Sequence, residues 1–360
     1  MKICALIMAG GEGKRFWPLS KKSRPKQFIS LAGEKSLIRQ TVDRILPLIP
    51  IDRIYIVTTE LYADQTLEHI PELPQQNLIL EPDGKNTAPC IAYGTLKIKK
   101  VYDDSVTVVL PADHVIGDDK AFREALSFAV DVADTKLDNG EYPLITLGVT
   151  PTTAETGYGY IKGTDDKIAS SENYRALRIE KFTEKPDLET SISFIDQGGY
   201  YWNSGIFIWK TSSIIRAFSD IIPKWYKRFD EISKNLSSIS EVGAVSKFYG
   251  EISGGSIDKL ILEHSENTLV IPISFPWSDV GNWKALDEFL RNEENENIVR
   301  GNAISIDSSR CLVFGADKLI ALVGVENIVV VESEGSILVL NKERSQDVKK
   351  VIDEINKTRK

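Results

Sequence analysis

The residues best suited by type and spacing to do chemistry lie near the start of the chain, in Ala9-Gly10-Gly11-Glu12-Gly13-Lys14-Arg15-Phe16-Trp17-Pro18. They follow an apolar run over residues 3–9 that reads as a buried strand. Three glycines after a strand let the backbone approach a ligand closely and turn its N–H groups inward, which suits phosphate oxygens. Lys14 and Arg15 stand beside them, and Lys26 follows within Arg24-Pro25-Lys26-Gln27-Phe28. Two better-known phosphate loops are excluded. A Walker loop ends in Gly-Lys-Ser/Thr, and here Arg15 follows Gly13-Lys14; a dinucleotide fingerprint needs a third glycine where Phe16 stands. A tight turn with solvated charges would use the same glycines. Lys14, Arg15 and Lys26, so placed in a chain of net charge −8, favour polyphosphate binding instead.

Further candidates are spread along the sequence. Glu81-Pro82-Asp83-Gly84-Lys85-Asn86-Thr87-Ala88-Pro89 follows a short strand and opens a helix, with Pro89 near the first helical position. Asp113, in Leu110-Pro111-Ala112-Asp113-His114-Val115, lies just past a strand's carboxyl end, where open α/β sheets bind ligands. Mg²⁺ prefers one or two carboxylates with phosphate oxygens and waters, so Asp113 is the first metal-ligand candidate. Four more segments carry Gly159, Glu184 with Lys185, Asn203, and Asp279: Thr156–Ile161, Phe182–Pro186, Trp202–Phe207 and Pro276–Trp283. Taken singly, each reads equally as a turn, a helix cap or an aromatic core strand.

Taken in order, these segments resemble one family. Gly10-Gly11-x-Gly13-x-Arg15-x-Trp17-Pro18-Leu19 followed by Pro25-Lys26 resembles the signature of the sugar-phosphate nucleotidyltransferases. Trp17 and Lys26-Gln27-Phe28 are similar in particular to the mannose-1-phosphate guanylyltransferases. The resemblance implies that Gly10, Gly11, Gly13, Glu81, Asn86 and Thr87 bind the nucleotide, with Glu81 accepting from N1–H and N2–H of guanine. Arg15 would grip the triphosphate, Lys26 would assist the departing pyrophosphate, and Lys185 would hold the sugar phosphate. These three are the expected catalytic residues. Gly159, Glu184, Lys185 and Asn203 are the expected sugar-phosphate contacts, and Asp113 and Asp279 the expected Mg²⁺ ligands. The implied substrates are GTP and mannose 1-phosphate, and a homodimer is expected. In two-domain members a phosphomannose isomerase domain follows; none follows here, so transferase activity alone is expected. Ser256-Ile257-Asp258-Lys259 also resembles a family element, without an assignable role. Related thymidylyl or uridylyl transfer, and a catalytically silent nucleotide-sugar sensor, are the competing readings.

These residues need a scaffold, and the hydrophobic pattern supplies one. Apolar runs at 3–9, 54–58, 78–80, 106–110 and 144–149 alternate with amphipathic stretches at 36–46, 88–100 and 120–133. The alternation predicts an α/β fold, a Rossmann-like mixed and mostly parallel sheet with helices on both faces. A polar, acidic stretch at 291–297 divides a nucleotidyltransferase domain, 1–290, from a tail domain, 298–360. In the tail, apolar runs at 303–306, 311–314, 319–323, 328–331 and 337–340 predict a small β-helix-like layer, closed by a helix over 345–358. The chain has 360 residues, 42% hydrophobic and 27% charged, which is enough for a sizeable core. Its acidity argues against nucleic acid and anionic membrane surfaces as partners. Three scattered cysteines without a CxxC pair argue against a disulfide framework and a structural zinc site. The apolar start is too short for a signal peptide and no run reaches a membrane span, so the cytoplasm is the expected compartment.

Overall fold

In the computed structural model, residues 1–11 and 13–358 are described, the side chain of Lys14 excepted. Lys14, one of the loop cations expected from the sequence, therefore has its side chain outside the described residues. Chain contacts group into two compact units. One holds residues 1–10, 42–112 and 118–275; the other holds 11–41, 113–117 and 276–360.

The strands in chain order are β1 (Ile3–Met8), β2 (Ile54–Thr59), β3 (Leu78–Glu81), β4 (Val106–Pro111), β5 (Val115–Ile116), β6 (Leu144–Val149), β7 (Gly159–Ser170), β8 (Arg175–Glu184), β9 (Tyr200–Lys210), β10 (Thr268–Ile273) and β11 (Trp277–Ser278). The first unit is built on a nine-stranded sheet of order β3-β2-β1-β4-β9-β6-β10-β8-β7. Its β3-β2-β1-β4 half is parallel, as is the β6–β10 pair. The β-branched runs of β1, β2 and β4 are buried along almost their whole length, as strands covered on both faces must be. The expected α/β sheet is thus present, and three of its expected helices form: Leu37–Ile45, Thr87–Tyr102 and Asp119–Ala133. Strands β7, β8 and β10 go beyond the sequence reading. β9 lies antiparallel between β4 and β6, and β7 pairs antiparallel with both β8 and β9. The main core gathers Leu6, Val57, Ile91, Phe207, Trp209 and Phe248.

The second unit contains the tail strands β12 (Ile298–Arg300), β13 (Ala303–Ile306), β14 (Leu312–Phe314), β15 (Ile320–Val323), β16 (Ile328–Ser333) and β17 (Ser336–Asn341). Ile298 is opposite Leu312, and Leu312 opposite Val329, all in parallel register. Ala303 is likewise parallel to Ile320. Parallel neighbours reached through short turns mean that the chain coils over itself, the β-helix-like layer that the spacing predicted. Its inward side chains Leu312, Val329 and Val331 share a core with Phe16, Leu31 and Trp283 from the rest of this unit. The helix Val348–Thr358 follows. Among the described residues no helix is long and apolar enough to cross a membrane.

A buried charge triad ties this core together. Lys342 donates to Asp287 Oδ2 at 2.6 Å with both side chains 5% exposed, and Arg291 donates to Asp287 Oδ1. Burial pushes the Lys342 ammonium below its ordinary pKa despite the Asp287 carboxylate. Removing one member of such a pair strands the other charge. Asp287→Ala is expected to cost about 3–5 kcal/mol of unfolding free energy, read by urea denaturation. A loss below about 1 kcal/mol, the range of a surface pair, would show that solvent already screens the triad.

Candidate active site

The glycine loop, Asp113 and Asp279 meet inside the second unit. The loop places Gly13 at φ +56°. A Cβ there would lie 2.5 Å from Lys26 Cβ and 2.6 Å from Lys26 N, so only glycine fits without displacing the backbone. Lys26 is 5% exposed. Its ammonium donates to Asp113 Oδ2 at 2.9 Å and to the backbone carbonyl of Asp279. Burial works to raise the Asp113 carboxyl, but the Lys26 ammonium, with His114 adding to it, holds it below the usual carboxylate range. Arg15 donates to the Gly281 carbonyl at 3.4 Å. A Cβ on Gly281 would sit 3.3 Å from both Asp279 carboxylate oxygens and 3.4 Å from Arg15 Nη1, so carboxylate and guanidinium crowd the same spot. Between Asp279 and Gly281, Val280 is held at φ +42° and fully buried. A β-branched residue rarely takes that conformation, and such strain concentrates at functional sites. Gly13, Arg15, Lys26, Asp113 and Asp279 together line a cavity of about 330 Å³. Cations and paired carboxylates in one cavity can neutralise phosphate oxygens and hold a metal ion.

The nucleotide-binding candidates Glu81, Asn86 and Thr87 belong to the first unit. Glu81 ends β3 and is 5% exposed. Tyr249, from the helix Glu241–Glu251, donates to Glu81 Oε1 at 2.6 Å. Burial raises the Glu81 pKa from 4.5 to about 7; the Tyr249 hydrogen bond offsets part of that effect and nearby Asp83 adds to it. Gly10 lies beside it, with room for a Cβ 3.7 Å from Glu81 Oε2, whereas a Cβ on Gly11 would face open space. Asn86 is held at φ +76° and its side chain accepts from Thr87 N at 2.8 Å, capping the helix Thr87–Tyr102. Thr87 Oγ1 accepts from Ile257 N at 2.9 Å. Lys85 donates to the carbonyls of Tyr249 and Ile252, so residues 85–87 are laced to residues 249–257.

The sugar-phosphate candidates also lie in the first unit. Gly159 opens β7 opposite Glu184, which closes β8. A Cβ on Gly159 would stand 2.8 Å from Glu184 Oε2 and 3.1 Å from the Phe182 ring. Lys185, at φ +46°, bonds the Glu184 carboxylate and is otherwise exposed. Asn203 Oδ1 accepts from Thr146 Oγ1 and Gly205 N, and Asn203 Nδ2 donates to Asp258 Oδ1 at 2.7 Å. Its acceptor is therefore in use and one N–H remains. Burial raises the Asp258 pKa from 3.8 to about 6, with Glu184 contributing in the same direction.

Sequence reasoning missed two of these partners. Asp258 stood in a quoted motif but without a role; Tyr249 stood in none, and only the fold brings its hydroxyl to Glu81.

Comparison with known proteins matches residues 4–296 to the nucleotidyl transferase family and residues 301–355 to a mannose-phosphate isomerase/GMP-like β-helix domain. The alginate biosynthesis protein AlgA of Pseudomonas putida is 35% identical, over 98% of this chain and 72% of its own length. The mannose-1-phosphate guanylyltransferase of Salmonella muenchen is 36% identical, over 98% of this chain and 73% of its own. A crystal structure of a protein named mannose-1-phosphate geranyltransferase, from Thermus thermophilus, is similar with TM-score 0.87 at 32% identity, covering 99% of this chain and 100% of that one. A mannose-6-phosphate isomerase structure from Helicobacter pylori is similar with TM-score 0.61 at 26% identity, covering 77% of this chain and 100% of that one.

The Glu81 environment makes a prediction about stability. A carboxyl whose folded pKa is raised from 4.5 to about 7 destabilises the fold as the unfolded-state carboxyl ionises while the folded one stays protonated. The penalty is absent below pH 4.5, grows as pH rises to 7, and reaches about 3 kcal/mol by pH 8. Glu81→Gln stays neutral and still accepts from Tyr249. Its melting temperature is expected to exceed that of wild type at pH 8, with the gap closing towards pH 5. A gap independent of pH would mean that the site hydrates freely.

Proposed function

The chain belongs to the nucleotidyl transferase family, and from that premise we propose that it transfers GMP from GTP to α-D-mannose 1-phosphate, giving GDP-mannose and pyrophosphate. One observation carries the reading: a single cavity gathers Arg15, Lys26, Asp113 and Asp279, contributed by three distant stretches of sequence. The relatives named mannose-1-phosphate guanylyltransferase and AlgA support GDP-mannose as product and polysaccharide synthesis as its use. An isomerase has no triphosphate to hold, so the glycine loop with its cations gives transfer its weight over the isomerase likeness.

An oxygen of the sugar phosphate attacks the α-phosphorus of GTP in line. A P–O bond forms while the α-phosphorus to bridging-oxygen bond breaks, and pyrophosphate leaves with that oxygen and its electron pair. The attacking oxygen is already anionic, so no general base is required. The barrier is repulsion between two polyanions, and Arg15 and Lys26 lower it by neutralising phosphate charge where it develops. Two carboxylates in one cavity are the donor set that Mg²⁺ takes alongside phosphate oxygens, so Asp113 and Asp279 fit that ion. A Mg²⁺ held by these two carboxylates would supply charge neutralisation for the phosphates. Glu81 keeps one Oε1 lone pair for Tyr249, which leaves Oε2 and the remaining Oε1 lone pair for N1–H and N2–H of guanine. Asn86 and Thr87 position the strained turn beside it, and Gly10, Gly11 and Gly13 give the nucleotide backbone access. Gly159, Glu184 and Asn203 face the hexose, and Lys185 exchanges Glu184 for the sugar phosphate.

A panel of four nucleoside triphosphates against several hexose 1-phosphates, read by pyrophosphate release, tests the reading. GTP with mannose 1-phosphate is expected to be the fastest pair, and Glu81→Gln is expected to narrow the preference for GTP over ATP. A preference for dTTP or UTP with glucose 1-phosphate would replace the proposal by the related transferase. No turnover with any pair would leave a nucleotide-sugar sensor.

The carboxylate pair has its own test. Asp113→Ala and Asp279→Ala should each lower turnover by about two orders of magnitude or more. Asp279→Ala keeps the backbone carbonyl that Lys26 uses and should retain the fold by circular dichroism, whereas Asp113→Ala strands the buried Lys26 ammonium and should also lower the melting temperature. Wild-type turnover in Asp279→Ala would remove that residue from the site.

A further inference from the structure

The cavity that holds Arg15 and Lys26 has another cation in its wall, and it comes from the far end of the sequence: Lys349. Arg15 donates to the Gly281 carbonyl, and Lys26 is held by Asp113 and the Asp279 carbonyl. Among the described residues no hydrogen bond or ion pair engages the Lys349 ammonium. Its neighbour Lys350 behaves differently, pairing with Asp347 at 2.7 Å outside the cavity lining.

The position of Lys349 is fixed by packing. Val348, the first residue of the helix Val348–Thr358, is 2% exposed within the cluster that contains Phe16, Val280 and Trp283. Phe16 follows Arg15 and Val280 follows Asp279, so the helix starts on the same apolar floor that carries the cavity's charged groups. Lys349 sits in the first turn, and that turn holds no acidic residue. A cation there opposes the helix dipole and would be a poor choice for stability alone. For an anion the preference reverses: Asp347, just before the helix, is already paired with Arg344 and Lys350, which leaves the Lys349 ammonium to attract the anion from the cavity wall.

We propose that Lys349 is a substrate-contacting residue of the transfer reaction: it grips the β- and γ-phosphates of the nucleoside triphosphate and holds the pyrophosphate as it departs. The β-helix-like tail thereby contributes directly to the catalytic cavity. This rests on the nucleotidyl-transfer reading, since Lys349 shares its cavity with the cations assigned there to the triphosphate.

The experiment uses the full chain as wild type, Lys349→Ala, Lys349→Arg and Lys350→Ala, assayed in both directions. Pyrophosphate affinity is measured separately by calorimetry with pyrophosphate alone. Lys349→Ala should lower kcat/KM for GTP by about tenfold or more and raise KM for pyrophosphate in the reverse direction by a similar factor. KM for mannose 1-phosphate should change less than about twofold, and the melting temperature should hold. Lys349→Arg should recover most of the loss, and Lys350→Ala should match wild type. Unchanged pyrophosphate affinity and GTP kinetics in Lys349→Ala would overturn the assignment while leaving nucleotidyl transfer intact. So would an equal loss on every substrate, or an equal effect of Lys350→Ala. If wild type showed no turnover yet bound pyrophosphate through Lys349, the anion site would stand and the transfer reading would fall.

Discussion

An ammonium group removed from water must be given oxygens, and Lys26 at 5% exposure draws them from two remote stretches. Its bonds to Asp113 Oδ2 and to the Asp279 carbonyl connect the segment after Pro25, the segment after β4 and the segment around β11 at one point. Much of the second unit's geometry follows from satisfying that charge. Gly13 must lack a side chain because Lys26 backbone lies where one would go. The chain after Asp279 turns through Val280 at φ +42°, which lets the Asp279 carbonyl meet the ammonium while its carboxylate stays beside Gly281 and Arg15. The core of Phe16, Val280 and Trp283 holds these conformations in place.

The first unit shows the opposite sign of the same problem. Glu81 is as buried as Lys26, but a phenol rather than a cation partners it, so its proton is held up to about pH 7. Such a group is costly unless ionisation is rewarded by donors brought from outside. Strain is distributed in the same way: Asn86, Lys185 and Val280 are non-glycine residues at positive φ, and each lies in or beside a motif residue. Hydrogen bonds from residues 249–257 hold the Asn86 turn, and strand pairing up to Glu184 holds the Lys185 turn. Asp103, Ser237, Asp307, Arg310, Asn327 and Glu334 take positive φ in turns outside the motifs, so what distinguishes the three motif outliers is the side chains placed around them.

What the sequence revealed follows from this. Strand and helix periods were legible where burial was two-sided or amphipathic, as in β1, β4 and the helix Asp119–Ala133. The β7–β8 hairpin was not, because residues 164–168 are exposed or half-buried and mostly polar, which interrupts the apolar period although Ile161 and Leu177 pack into a core of their own. Asp113 and Asp279 were legible from motifs, but nothing local says that they share a cavity. Tyr249 and Lys349 were illegible for a related reason. A tyrosine within a helix pattern and a lysine in a charged helix look like packing and solvation until the fold supplies what stands opposite.

If the cavity takes phosphates as proposed, its charge balance accounts for the carboxylates that line it. Arg15, Lys26 and Lys349 bring three positive charges to it, and Asp113 and Asp279 bring two negative ones. A carboxylate about 4 Å from a phosphate oxygen repels it by about 4 kcal/mol at the effective dielectric of a protein surface. Two such residues would therefore cancel most of what the cations contribute, in a chain whose net charge is already −8. On the proposed reading a divalent cation reverses that sign: its charge and the two carboxylates cancel, and all three side-chain cations are left for phosphate. Lys26 then has a second use. Paired with Asp113 it keeps that carboxylate ionised and ready for a metal ion, and a metal on Asp113 would in turn release the ammonium for the polyphosphate. On that reading, the same hydrogen bond that organises the fold of this unit would couple metal binding to phosphate binding, through the buried lysine.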